Sequence, residues 1–315
     1  MEGQPAGRGE SRGILSKISL FRGNRQDTAI DKALLFVFFI ISLLFMVACL
    51  FPFILMLVSS FTDEATLIRE GYKLWPSKWS LDAYKSVISG QSVLQAYKVS
   101  ITVTVAGTLA SLLFTSLCAY AISGKQLRYR NIIAFAFYFS MLFSGGLVPT
   151  YILISKYLSL RDNLFVYISL LINPWNLFLM RNFFNGLPDS FRESAYIDGA
   201  NDWTLMFRII MPLSTPVMAS IALFYALGYW NSWMESLLYM DDESLYTLQY
   251  LIMKIMRNLN SARIIAQQTT FTAPAPPAET IRYATALLTI GPIILLYPFL
   301  QRYFVRGLHV GAVKG

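Results

Sequence analysis

Histidine occurs once in this 315-residue chain, at His309, and cysteine twice, at Cys49 and Cys118. One histidine cannot build a histidine-based metal site or much of a catalytic triad. Both cysteines lie inside apolar runs, with neither a disulfide framework nor metal-ligand spacing. There is no H-E-x-x-H and no G-x-x-x-x-G-K-[ST] phosphate loop; Gly124-Lys125 lacks the glycine spacing and a following Ser or Thr. The chain by itself is therefore not a P-loop ATPase, and no catalytic set, metal site or cofactor site is legible in it. Charge is scarce as well: 14% of residues are charged and 55% hydrophobic, where soluble domains carry about 25% charged residues. The net charge of +8 comes with no Lys/Arg block. That pattern excludes a nucleic-acid binder and fits a membrane protein with basic loops. Acids at membrane depth are nearly missing. Glu235 stands at the outer end of one apolar run, where it avoids most of the roughly 2.5–3.5 kcal/mol that a charge costs at a helix centre. A proton relay is thereby disfavoured, while sodium coupling stays open.

What the chain does have is uncharged runs. Six lie at 33–62, 99–124, 131–155, 163–180, 209–234 and 283–301. A span needs about 20 apolar residues at about 1.5 Å rise each, and all six qualify, the fourth and sixth at the short end. Backbone groups in hydrocarbon must be paired internally, so the expected fold class is all-α, a polytopic membrane protein with six transmembrane helices. Pro52 predicts a tilt or kink in the first. Residues 1–32 read as a mostly disordered cytoplasmic tail, 33–301 as one membrane domain, and 302–315 as a cytoplasmic C-terminal tail. No cleavable signal peptide is expected. With the N-terminus inside, the inner segments 1–32, 123–131, 181–212 and 302–315 carry 15 Lys and Arg, and the outer ones carry 11. The short loop with Lys125, Arg128 and Arg130 and no acid decides the orientation. Both termini are then cytoplasmic.

Polar and aromatic residues interrupt several runs. Gly145-Gly146 and Pro149 in the third read either as close helix packing or as a break that neighbours re-satisfy. Asn173, Trp175 and Asn176 in the fourth run, and Tyr229, Trp230, Asn231 and Trp233 in the fifth, are candidates for a polar pathway. Flat aromatic faces suit sugar rings, and Asn offers both donor and acceptor to hydroxyls. Interhelical hydrogen bonding and an aromatic belt account for any one of them equally well. Trp75 and Trp79 in the outer loop 62–98 read as interfacial aromatics. In the loop 239–282, a helix is expected from about Leu245 to Asn260, and Ala273-Pro274-Ala275-Pro276-Pro277 is a stiff extended stretch.

The long polar interval 181–212 is the most informative. Ser190 and Glu193 have capping-box spacing, Gly199 permits a turn, and Asn201 or Asp202 can cap a second helix running past Pro212. On pattern alone it is a surface helical hairpin between two spans. Glu193-Ser194-Ala195, then Gly199, Ile209, Met211 and Pro212 at fixed spacing resembles the E-A-A-x3-G-x9-I-x-L-P motif. That motif belongs to permease subunits of binding-protein-dependent ABC importers. Ser194 and Met211 depart from it conservatively.

The Tyr229-Trp230-Asn231 region, Tyr246-Thr247-Leu248-Gln249, the Pro298–Gln301–Phe304–Gly307 tail and Gly311-Ala312-Val313-Lys314-Gly315 are similar to the MalG-type permeases of carbohydrate importers, in the oligosaccharide-associated subset. The resemblance covers residues 33–315. It implies the type I ABC importer permease fold in a bacterial cytoplasmic membrane. It implies a second homologous permease, two ATPase subunits carrying ATP and Mg, an external sugar-binding protein and a carbohydrate cargo, with no nucleic acid. It also implies that Glu193, Ser194, Ala195, Asp198, Gly199 and Ala200 form the ATPase-coupling helix and turn. In that reading Glu193 orients the helix, Ala195 lets it lie close to its partner and Gly199 sets the turn. A stand-alone secondary transporter or channel is the main alternative, and a membrane scaffold or insertase the second.

Overall fold

The computed structural model describes residues 29–88, 91–169, 171–268, 279–292 and 294. The regular elements among them are helices, and the extended pairing is one isolated antiparallel bridge, Thr62 to Trp79. The expected N-terminal tail up to residue 28, the proline stretch 273–277 and the C-terminal motifs from Pro298 onward lie outside the described residues.

Two compact units divide the chain after Met56. The first contributes most of α1 (Ala29–Ser60), which runs unbroken through Pro52. It is apolar on every face, the composition of a helix surrounded by hydrocarbon. It begins inside the segment read as tail, because a nucleated helix adds one hydrogen bond per residue as it extends.

The second unit opens with the end of α1, followed by α2 (Glu64–Glu70) and α3 (Asp82–Ile88). Asp63 caps α2 by accepting from the Thr66 amide, and its carboxylate meets Lys78 at 3.0 Å. The centre of the unit is α4 (Gln91–Ser123), 33 residues or about 50 Å long. It starts earlier than the run 99–124, because counting between charges cuts the helix at Lys98. The run 131–155 is α5 (Arg130–Leu142) and α6 (Leu147–Ile152), the latter continued by a π-helical turn to Tyr157, with a 113° bend between them. The bend falls at the glycine pair, and nothing packs against Gly146. Gly146 has φ +86°, so the pair serves a break in the helix.

The run 163–180 is not one helix. A 3-10 turn at Leu164–Ile168 precedes α7 (Pro174–Gly186). Pro174 is the reason: it occupies the first turn of α7, where its missing N–H costs nothing, and disfavours helical backbone before it. Next come α8 (Ser190–Ile197), α9 (Asp202–Leu205), a π turn at Met206–Ile210 and α10 (Met211–Leu213). Pro212 has no amide to give the carbonyl one turn back, which accounts for the loosened turn before it. An 83° bend at Ser214 leads into α11 (Thr215–Trp230). After it lie α12 (Met234–Tyr239), α13 (Leu248–Gln268) and α14 (279–292). Among the described residues, two helices are long and apolar enough to cross a membrane, or up to four if each bent pair counts as one.

α4 packs chiefly on α11 and α7. On α4 and α11, antiparallel hydroxyl pairs repeat one turn apart. Ser111 Oγ is 2.7 Å from Tyr229 OH, and Thr115 Oγ1 is 2.6 Å from Tyr225 OH. A turn before Ser111, Gly107 lets the Tyr229 ring lie on the α4 backbone, where a Cβ would stand 2.8 Å from the ring. A second cluster joins α3, α4, α11, α13 and α14 through Val87, Val93, Trp230, Leu248 and Ile281. The N-terminus of α14 is held from 215 residues away. Glu64 Oε1 accepts from the Glu279 amide at 3.1 Å, and its Oε2 from the Thr280 amide at 2.8 Å and the Thr280 hydroxyl at 2.6 Å. Two of the orphan donors of a helix start are thereby satisfied.

Candidate coupling hairpin and pathway residues

The hairpin between α7 and α11 is built on a glycine turn. Gly199 has φ +76°. Its amide donates to Tyr196 O at 3.1 Å, and the Ala200 amide donates to Ala195 O at 2.9 Å. That pair of bonds is the Schellman closure of α8, which places a left-handed residue after the helix and favours glycine there. Ala195 and Ala200 supply its apolar contact and join one core cluster with Leu177, Phe184, Leu205 and Ile210. Ala195 is thus turned inward: its small side chain lets α8 lie close to this chain's own helices. The capping box also shifts. Asp189, not Ser190, is the residue before the helix, and its side chain makes no capping bond. Asn201 caps α9 by accepting from the Thr204 amide at 2.8 Å.

Polar groups tie this hairpin to the end of α4. Arg181 Nε donates to Ile122 O at 3.2 Å. Arg192 donates to Ser123 Oγ at 3.1 Å and lies 5.5 Å from the centre of the Tyr120 ring. Cations are well placed there, against the negative end of a long helix. Lys125 Nζ meets Asp189 Oδ2 at 2.6 Å and holds that carboxyl below its ordinary range. Asp202 Oδ1 accepts from two phenols, Tyr196 at 2.6 Å and Tyr120 at 3.2 Å. The bond to Asp202 raises the Tyr196 phenol above its ordinary value. A cavity of about 1020 Å3 opens beside these groups, lined among others by Lys125, Arg130, Arg181, Arg192, Glu193 and Asp202.

Several apolar residues of the hairpin are exposed. Ile197 is 85% exposed and Trp203 64%, with Phe191 and Phe207 also exposed. Trp203 and Phe207 stack, with ring centres 5.8 Å apart and planes within 5°. Glu193, Ser194, Asp198 and Gly199 are exposed as well. Sequence reasoning missed Ile197, Trp203 and Phe207. The i,i+4 aromatic pair in an otherwise polar interval was a usable signal for two of them. The contact of Tyr120 with Asp202 had none, since 82 residues separate them.

Of the pathway candidates, several have their polar atoms occupied by helix–helix bonds. Asn173 caps α7, its Oδ1 accepting from the Trp175 and Asn176 amides, and its own amide donates to Tyr225 OH at 3.0 Å. Asn176 is buried. Tyr229 is bound to Ser111, and Trp230 donates its indole N–H to Thr289 O at 3.2 Å. Asn231 donates to Leu227 O and accepts from Gln249, yet stays exposed. Trp175 and Trp233 are exposed too. Tyr225 links the α7 set to the helix that carries Tyr229. The chain after α11 is fixed by a buried hydroxyl chain. Tyr167 OH lies 2.6 Å from Ser236 Oγ, Ser236 lies 2.9 Å from Thr247 Oγ1, and Thr247 donates to Ser232 O.

Known proteins resemble this chain at the level of family, sequence and structure. The family model described as binding-protein-dependent transport system inner membrane component matches residues 17–310. The chain is 38% identical over 275 residues to the polygalacturonan/rhamnogalacturonan transport system permease protein YtcP of Bacillus subtilis (strain 168), covering 87% of this chain and 95% of that protein. It is 39% identical over 265 residues to protein LplC of the same organism, covering 84% and 89%. Among solved structures it resembles a chain of a bacterial ABC transporter involved in the import of the acidic polysaccharide alginate. The TM-score is 0.78 at 30% identity, covering 88% of this chain and 98% of that one.

Proposed function

This chain belongs to the family of binding-protein-dependent transport system inner membrane components, and we propose that it forms half of the translocation path of an ATP-driven oligosaccharide importer. It is a permease subunit, a transport protein and not an enzyme. The other half is a second, homologous permease. Two ATPase subunits bind ATP and Mg on the cytoplasmic side, and an external binding protein delivers the sugar. Six spans, both termini in the cytoplasm and the hairpin on the side where ATP is present complete the arrangement. The cargo class to test first is an oligosaccharide bearing uronic acid, because YtcP and the alginate transporter are both named for acidic polysaccharides.

The observation that carries the coupling role is the two-sided hairpin. One side is bonded to α4 and the core through Arg192, Asp202 and Ala195. The other offers Phe191, Glu193, Ile197, Trp203 and Phe207 to solvent. A short helix that exposes Phe191 and Ile197 beside the stacked Trp203 and Phe207 suits a groove on a partner protein. Closure of the ATPase pair then displaces the hairpin, and the displacement biases the permease between inward- and outward-facing states. Trp175, Asn231 and Trp233 are the pathway candidates with surface to give a sugar; Asn173, Asn176, Tyr229 and Trp230 act by holding the helices that shape the path.

The test is mass spectrometry of a tagged native complex extracted in mild detergent, followed by ATP hydrolysis with the co-purified binding protein. An ATPase, a second permease and hydrolysis stimulated by oligogalacturonides are expected. Recovery of the chain alone or as a homomer in several detergents overturns the importer reading in favour of a stand-alone transporter.

A further inference from the structure

We propose that Asp202 is a positioning residue for energy coupling: it locks the coupling helix α8 to the end of α4, so that the two move as one body. The inference rests on the importer reading above and assigns a residue to the transmission step.

Ala195 is the buried residue of α8, and Ala200 packs against the same cluster just beyond the turn. Alanine lets a helix approach closely but offers few atoms that interdigitate, so this contact resists rolling and sliding weakly. The polar ties differ in how much they can resist. Lys125 and Asp189 form an exposed ion pair, screened by salt and worth little. Arg192 holds Ser123 through one hydroxyl. Asp202 alone joins three elements. It stands on α9, just after the Gly199 turn, and takes one hydrogen from Tyr196 on α8 and one from Tyr120 on α4. Asp202 is itself exposed, so its advantage over the ion pair is not burial: bonds from phenols to a carboxylate are charge-assisted and directional. Two of them meeting at a single oxygen fix α8 against rotation about its own axis relative to α4. A push on Ile197 or Trp203 is then passed to α4, the helix on which α7 and α11 pack.

The test compares wild type with Asp202→Ala, Asp202→Asn, Tyr120→Phe and Tyr196→Phe in the full chain. The first readout is hydrogen–deuterium exchange over residues 190–200. The second is oligogalacturonide transported per ATP hydrolysed by the reconstituted complex. Asparagine keeps an acceptor oxygen and alanine does not. Asp202→Ala is expected to raise exchange in 190–200 by about fivefold or more and to lower cargo per ATP by a similar factor, the small end of usual coupling effects. Exchange in α4 and α11 stays as in wild type. Asp202→Asn restores most of both, and each Phe variant falls between. Unchanged exchange in Asp202→Ala overturns the latch. Raised exchange with unchanged cargo per ATP overturns its role in coupling. If no ATPase accompanies the wild-type chain, the importer reading fails, and the exchange arm alone still decides whether Asp202 holds α8.

Discussion

Gly199 allows the sharpest test, because its backbone cost and its docking cost separate cleanly. Its φ is +76°, a region where a side chain with a Cβ costs roughly 1–2 kcal/mol. A Cβ there meets nothing within 4 Å of this chain. In the isolated protein Gly199→Ala and Gly199→Leu therefore cost the same, since the penalty comes from the backbone and not from packing. Asparagine tolerates this conformation, so Gly199→Asn costs less. The expected readout is exchange of the Gly199 and Ala200 amides, the two donors that close α8. A loss of about 1–2 kcal/mol raises exchange about 5- to 30-fold, equally for Ala and Leu. In the assembled transporter the two diverge: if the turn sits in an ATPase groove, leucine overfills it and alanine does not. Stimulated ATP hydrolysis is then lost with leucine and largely kept with alanine. Asparagine as costly as alanine would refute the backbone argument. Leucine coupling as well as alanine would refute the docked turn.

Further outcomes follow from other sites. Gly107→Ala forces the Tyr229 ring off α4, since its Cβ would stand 2.8 Å away; a loss of about 1–3 kcal/mol is expected, read as a lower melting temperature in detergent. Trp203→Ala and Phe207→Ala leave insertion and the core intact but weaken ATPase co-purification, each by about 2 kcal/mol or roughly 30-fold if they are anchors of that contact. Glu64→Ala removes acceptors from the Glu279 and Thr280 amides; the first turn of α14 loses about 1–2 kcal/mol, seen as faster exchange there. Lys125 lowers the Asp189 pKa, so the pair stabilises above the unfolded carboxylate value near ~3.9 and this is lost as pH falls through the lower folded value. Between pH 6 and 9, breaking it with Lys125→Gln leaves hairpin exchange nearly unchanged, and added salt reduces the effect further.

The sequence revealed the helices but not their interruptions. Counting uncharged runs located α1, α4 and α11, because a run of that length in hydrocarbon has one backbone solution. It failed at 163–180, where composition is uniform and Pro174 alone decides the break. Gly145-Gly146 was seen, but not that it turns the chain by 113°, since two glycines equally suit packing and bending. In the hairpin, Gly199 and Asn201 were legible as local chemistry: a left-handed turn and a cap act over four residues. The direction in which Ala195 points was not, because an alanine fits either side of α8 and the core decides. Trp230 and Asn173 illustrate the same limit. Their types suit a sugar path, and their partners, Thr289 and Tyr225, are far away in sequence.

The Glu64 contact also sets an order of events during biosynthesis. The carboxylate is made some 215 residues before the amides of α14 that it accepts from. At about 5–20 residues per second, a ribosome needs roughly 10–40 s to cover that distance. The bond can close only once residues 279 and 280 have been made and α14 has begun to form. A protein cut short before residue 279 retains every residue of its hairpin and of its α4–α11 ladder but never makes this closure.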